Sequence, residues 1–232
     1  MSKTTFITGA NKGLGLETAR RLTALGHTVL LGARDVARGR RAAAALGARF
    51  VQVDVTDDAS VAAAAADVAA HEGRIDVLIN NAGITGTVVS AEELTGAEAA
   101  RVLDTNVAGV VRVTAAFLPL LRASDAPAVV NVTSGLGSVA LTHDPERVES
   151  QVIAPAYAAS KAAVTVLTTQ YAKAWADIRF NAVDPGYTAT DLNGHSGTQT
   201  VTEGTDAIVT LAIEDADSGT GRIIDRYGPV AW

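Results

Sequence analysis

The chain has 232 residues, 48% of them hydrophobic and only 4% aromatic, with a formal net charge of −6. That length and apolar content suffice for one large α/β core, and the acidic balance argues against nucleic acid or an anionic membrane as partner. Cysteine is absent, which excludes a disulfide framework and thiolate chemistry, and His27, His71, His143 and His195 fall at no spacing that suggests a metal site.

The N-terminal MSKTTFITGA lacks the apolar core of a signal peptide and enters a strand pattern at once. Thr4–Thr8 is the first expected strand, followed by a helix over Leu14–Leu25 with apolar positions at helical spacing. Strand Thr28–Leu31, a helix from Asp35 to Leu46, strand Phe50–Val53 and a helix over about Asp57–His71 come next. Then follow strand Val77–Ile79, a long helix within Gly96–Leu121, strand Val129–Val132 and a helix at about Ala156–Trp175. Strand Ile178–Val183, a helix near Val201–Ala212 and a last strand at Arg222–Ile224 complete the chain. Strand–helix alternation of this kind predicts about seven parallel strands with right-handed crossovers and helices on both faces. The strands read as continuous apolar runs, as they must when both faces are covered. No linker or composition break divides residues 1–232, so one domain is expected. No apolar run approaches the ~18 residues of a membrane span, and a cytoplasmic location is expected.

In an open parallel sheet, ligands bind outside the carboxyl ends of the strands. The glycines Gly9, Gly13 and Gly15 in FITGANKGLG lie there, between the first strand and the first helix. Glycine allows a tight turn and close approach of a phosphate to the backbone, and the helix N-terminus offers it unpaired N–H groups. The spacing is G-x-x-x-G-x-G rather than G-x-G-x-x-G.

Four further motifs follow in order: Asp54-Val55, Asn80-Asn81-Ala82-Gly83, Tyr157-Ala-Ala-Ser-Lys161 and Pro185-Gly186. With TGANKGLG, this set resembles the short-chain dehydrogenase/reductase family in its compact, single-domain branch. GANKG and ARD are shared with its carbonyl reductase-like members, and the resemblance covers nearly the whole chain. It implies a Rossmann-type, doubly wound parallel sheet. It also implies that Gly9, Asn11, Gly13, Leu14 and Gly15 cradle a pyrophosphate, and that Asp54 and Val55 flank the adenine. Asn81, Ala82 and Gly83 would pass beside the adenosine ribose, and Pro185, Gly186 and Thr188 would lie at the nicotinamide end.

An NAD site usually ends its second strand in a carboxylate for the ribose hydroxyls. Here TVLLGARD has Gly32 at that place, Arg34 after it, and Asp35 as the N-cap of the next helix. Lys12 and Arg34, with no carboxylate near, suit a 2′-phosphate, so the expected cofactor is NADP(H).

Tyr157 and Lys161 are four apart on an expected helix and so share a face. A neighbouring ammonium favours the phenolate and lowers a tyrosine pKa toward the range useful for acid–base work. The resemblance assigns Tyr157 as proton donor and Lys161 as a ligand of the nicotinamide ribose. Ser134, at the end of the fifth strand, would orient the substrate oxygen, and strand alternation turns its neighbour Thr133 away. Asn106 matches the fourth catalytic position, which helps place a water in a proton relay. The expected activity is NADPH-dependent reduction of an aldehyde, ketone or quinone to an alcohol, reversibly. A reductase of C=N or C=C bonds built on the same residues, and a non-catalytic NADP-sensing regulator, stay open.

The charged stretch LTHDPERVESQVIA, Leu141–Ala154, lengthens the gap between Ser134 and Tyr157. Carbonyl reductase-like members carry an insertion there too, and it can cover an oligomer surface. Monomer, homodimer and homotetramer all stay open. The substrate loop, about residues 186–200, offers Asp191 and His195 to a small polar substrate.

Overall fold

Neighbouring residues along each central strand point to opposite faces. Phe6, Leu30, Leu78 and Val129 enter one apolar cluster, and Ile7, Leu31, Ile79 and Val130 enter another. A sheet buried on both sides is the result. In the computed structural model, which describes residues 2–87 and 90–232, the strands are β1 (Thr4–Ile7), β2 (Thr28–Ala33), β3 (Arg49–Gln52) and β4 (Val77–Asn80). Beyond them lie β5 (Ala128–Val132), β6 (Arg179–Val183), β7 (Ile223–Asp225) and β8 (Gly228–Pro229). Their order is β3-β2-β1-β4-β5-β6-β7-β8, parallel except for the two-residue β8. The seven expected strands are all present. The eighth is too short to leave a pattern in the sequence.

Helices α1 (Gly13–Ala24), α2 (Val36–Leu46) and α9 (Asp206–Ile213) cover the Ile7 face through Leu22, Ala43, Ile208 and Leu211. Helices α3 (Asp58–His71), α5 (Gly109–Arg122) and α7 (Pro155–Ala174) cover the Phe6 face. There Phe117 of α5 stacks on Phe6 with ring centroids 4.4 Å apart. This is the doubly wound arrangement expected. Shorter helices α4 (Gly96–Leu103), α6 (Val139–His143) and α8 (Val201–Gly204) lie within connecting segments.

Two helices differ from expectation. The long helix is continuous over Gly96–Arg122, but its middle, Asp104–Ala108, is a π-helical turn between α4 and α5. This 27-residue helix contains an 18-residue window of mean hydropathy 1.2, long and apolar enough to cross a membrane by length and composition alone. It is not an uninterrupted apolar run, because Glu98, Arg101, Asp104 and Arg112 lie within it. Its Val110, Val113, Phe117 and Leu121 are buried in the protein. The helix expected over Val201–Ala212 divides at Thr205, whose buried hydroxyl donates to the Thr202 carbonyl at 2.8 Å.

One polar crosspiece interrupts the core. Asn80 and Asn131 are register partners on β4 and β5. Asn80 Nδ2 donates to Asn131 Oδ1 (2.8 Å) and to Thr114 of α5 (3.2 Å), and Asn131 Nδ2 donates to Thr168 of α7 (2.9 Å). Buried polar groups need such partners. Here they tie α5 and α7 to the strand ends that carry the site.

Candidate active site

β1 ends at Ile7, and the chain turns through Gly9, with φ +64°, and Gly13, with φ +55°, into α1. Only glycine takes that region without strain. Lys12 is the N-cap residue and makes no side-chain cap, so no side chain occupies the first-turn N–H groups. The end of β4 anchors this loop. Asn81 Nδ2 donates to the carbonyls of Thr8 (2.8 Å) and Gly9 (3.2 Å), and the N–H groups of Asn81 and Ala82 both donate to Thr8 Oγ1 at 3.0 Å. A Cβ on Gly9 would fall 2.9 Å from Ala82 Cα. Gly9–Gly15 and Asn81–Gly83 thus form one cradle of glycines and helix-end N–H groups, and its shape and donors fit a dinucleotide pyrophosphate. Asn11 is half-buried in that loop, and Leu14 packs on the core below it.

Asp54 follows β3. Burial alone would raise its carboxyl pKa, but hydrogen bonds from the Thr56 hydroxyl (2.7 Å) and N–H (3.0 Å), with Arg34 nearby, hold it below the usual range. Val55, beside it, is buried against Gly109. The two cations expected to stand clear of carboxylates do not. Lys12 Nζ lies 3.1 Å from Asp191 Oδ2, and Arg34 lies 3.7 Å from Asp54 Oδ2. The Lys12–Asp191 pair joins residues 179 positions apart, which sequence spacing does not reveal. Both members are more than half exposed, so water screens the pair strongly. Asp191 also receives His195 Nε2 at 3.0 Å, so these two loop residues engage each other and the glycine loop.

After β6 the chain turns at Gly186, φ +69°, and Thr188 Oγ1 donates to the Pro185 carbonyl at 2.9 Å. Ser134 lies just past β5, and its Oγ accepts the Leu136 N–H at 3.3 Å. Thr133 faces away from it, its hydroxyl donating to the Lys161 carbonyl (2.9 Å) and lying 3.1 Å from Thr165. Pro155 opens α7 at a position where a missing N–H costs nothing, and Tyr157 and Lys161 follow on one face. Lys161 Nζ donates to the Val132 carbonyl at 2.9 Å and stands 5.5 Å from the Tyr157 ring centroid.

The side chain of Asn106, in the π-helical turn, accepts the Ile84 N–H (2.8 Å) and donates to the Ile84 carbonyl (2.8 Å) and Ser160 Oγ (2.9 Å). A Cβ at Gly83 would lie 3.3 Å from Asn106 Oδ1 and 3.5 Å from Lys161 Nζ. Asn106, Lys161 and the Asn81–Gly83 turn therefore meet at one point.

The electrostatics depart from expectation at Tyr157. Burial pushes its phenol up to about 12, against the hydrogen-bonding pull of Ser134, and the Asp184 carboxylate adds to the rise. Burial also pushes the Lys161 ammonium down to about 8, which Asp184 partly opposes. Desolvation sets the direction of both shifts. Asp184, Ser160 and Thr8 belong to this site and were not among the residues singled out from sequence. A carboxylate directly after the apolar β6 run was the signal for Asp184. A pocket of about 220 Å³ opens nearby, lined by Arg147, Glu149, Asp184, Tyr187, Gln199 and Tyr227. Neither Ser134 nor Tyr157 lines it. Among the described residues no group of three or more His, Cys, Asp or Glu side chains could hold a metal ion.

The family model for short chain dehydrogenase matches residues 3–200. The chain belongs to the short-chain dehydrogenase/reductase family. A short-chain dehydrogenase/reductase of Saponaria officinalis is 34% identical, over 95% of this chain and 93% of that protein. Salutaridine reductase of Papaver bracteatum is 30% identical, over 94% and 93% respectively. Among solved structures, NADPH-bound carbonyl reductase from chicken fatty liver superposes with a TM-score of 0.89 at 27% identity, over 100% of this chain and 99% of that one. Members of this family differ in substrate while sharing the sheet, so the reaction of this chain has to be argued from its own site.

Proposed function

We propose that this short-chain dehydrogenase/reductase is an NADP(H)-dependent oxidoreductase that reduces the carbonyl of a small molecule to an alcohol, reversibly. The observation that carries the reading is the convergence of Tyr157, Lys161 and Ser134 at the carboxyl end of β5, beside the cradle of Gly9–Gly15 and Asn81–Gly83. The NADPH complex of the chicken enzyme and the reductase names among the relatives support it.

A nicotinamide bound in this cradle would supply the hydride chemistry. Tyr157, protonated at neutral pH, gives its proton to the carbonyl oxygen as charge develops there. Ser134 Oγ, on the same side, donates a hydrogen bond to that oxygen and shares its charge. Lys161, still mostly an ammonium at pH 7, favours the phenolate left behind and would hold the ribose hydroxyls. Asn106 clamps Ile84 to Ser160 and so keeps the Gly83 turn at a fixed distance from α7. Lys12, now paired with Asp191, and Arg34 would hold the 2′-phosphate.

A dinucleotide-sensing regulator has no need of four catalytic-type residues held together. The first experiment is a fluorescence titration of the protein with NADPH and with NADH. Clearly tighter binding of NADPH, followed by turnover of carbonyl compounds that vanishes in Tyr157→Phe, is expected. Equal binding of the two cofactors would remove the Lys12/Arg34 assignment. Normal turnover by Tyr157→Phe would remove the mechanism.

A further inference from the structure

Asp184 is 4% exposed, and the mechanism above leaves it without a task. Its Oδ1 accepts the Gly186 N–H at 2.9 Å, and its carboxylate also accepts the Gly135 N–H. Gly135 is the residue after Ser134, and Gly186 follows Pro185. One carboxylate therefore joins the turn that carries Ser134 to the turn assigned to the nicotinamide end.

The fit is close. A Cβ on Gly135 would fall 2.9 Å from Asp184 Oδ2 and 2.7 Å from Glu149 Oε1. Several titratable groups surround Asp184, with Glu146 and Arg226 lining the same pocket. Glu149 approaches from the turn after α6, Asp225 from the end of β7, and Tyr157 and Lys161 from α7. Arg147 is also within electrostatic reach, but it is engaged with Glu149 at 3.1 Å. Asp184 is thus a buried acid held by backbone N–H groups, with Tyr157 and Lys161 among its neighbours.

We propose that Asp184 is a positioning residue for Ser134 and Tyr157, its carboxylate bracing the Ser134 and Pro185 turns and facing the phenol as a fixed negative charge. The inference rests on the reading of Ser134 and Tyr157 as the hydroxyls that meet the substrate oxygen. Burial raises the Asp184 carboxyl pKa and backbone N–H groups oppose that rise, and its negative charge adds to the upward shift of Tyr157. A negative charge there disfavours the phenolate. Removing it makes Tyr157 easier to ionise.

Asp184→Asn tests this in two ways. The amide keeps an acceptor for one N–H but presents its NH₂ to the other, so Ser134 is less well held and kcat falls at little cost in KM. The charge is also lost, so the alkaline limb of the kcat/KM profile for carbonyl reduction moves down by about one pH unit. The ultraviolet absorbance of tyrosinate, taken as the difference from Tyr157→Phe, should show the same downward shift without any substrate. Asp184→Ser, a smaller neutral acceptor, gives the same test should the amide variant not fold. A folded variant whose tyrosinate midpoint and alkaline limb both stay in place overturns the proposal, even if kcat falls uniformly at every pH. The optical titration decides the role of Asp184 even for a protein that turns over no carbonyl, an outcome that would instead remove the proposed reaction.

Discussion

Gly15→Ala is the smallest change that asks whether the glycine loop and the end of β4 are one unit. The added Cβ would fall 2.5 Å from Asn81 Nδ2, 2.7 Å from the Gly9 carbonyl oxygen and 2.9 Å from Ala10 Cα. Two of these three neighbours are backbone and cannot rotate aside. Overpacking of this kind costs about 1–3 kcal/mol. Displacing Asn81 from the Thr8 and Gly9 carbonyls adds about 1 kcal/mol for a weakened buried hydrogen bond. A domain of this size loses about 2–4 °C of Tm per kcal/mol, so a loss of roughly 2–4 kcal/mol lowers Tm by roughly 4–16 °C. Thermal melts followed by circular dichroism measure it, with Gly26→Ala as control. Gly26 has φ +86° but nothing within 4 Å of its would-be Cβ, so only the backbone penalty applies there. NADPH binding should weaken in Gly15→Ala and not in Gly26→Ala. A Gly15→Ala protein that melts at or above the Gly26→Ala control would refute the close-packing argument.

Four other outcomes are expected. Tyr157→Phe lowers kcat by roughly 10²–10⁴-fold with NADPH affinity nearly intact, read by steady-state kinetics beside a cofactor titration. Ser134→Ala lowers kcat by about 10²-fold, as loss of one donor to a developing oxyanion does. Lys12→Ala and Arg34→Ala each weaken NADPH by about tenfold, worth about 1.4 kcal/mol, and leave NADH unchanged in the same titration. Lys161→Met melts higher than the parent at pH 7 without cofactor. In the parent, burial holds Lys161 at about 8 in the fold against an ordinary 10.5, so the native state sheds its proton first and stability rises with pH between those values. The gap between the two melting curves should narrow across that window, and a gap independent of pH would count against the cause.

The strands were legible because each is a short apolar run between turn residues, and the alternation of Phe6 with Ile7 or Leu78 with Ile79 needs both faces covered. The caps were legible for the same local reason. Asp35, expected as an N-cap, accepts the Arg38 N–H at 2.9 Å. What escaped depends on contacts between distant residues or on hydrogen-bond pattern. The π-helical turn, DTNVA, is rich in poor helix formers, but composition does not distinguish a π turn from a plain helix end. The break at Thr205 comes from a hydroxyl returning to the Thr202 carbonyl. The carboxylates beside Lys12 and Arg34 arrive from residues 191 and 54. The direction of the Tyr157 shift turned on burial, which the four-residue spacing to Lys161 cannot encode.

The π-helical turn at Asp104–Ala108 has a consequence for the rotation of everything after it. A π turn amounts to one residue inserted into an α-helix, and one residue is about 100° of rotation. Val102 before the turn and Val110, Val113 and Phe117 after it are all buried. With that insertion, the two halves of the helix each keep an inward apolar stripe. Deleting one residue there would improve the local hydrogen-bond ladder, yet it would swing the stripe of α5 off the sheet by about a quarter turn. The helix should therefore tolerate substitutions along its outer face far better than any change in its length.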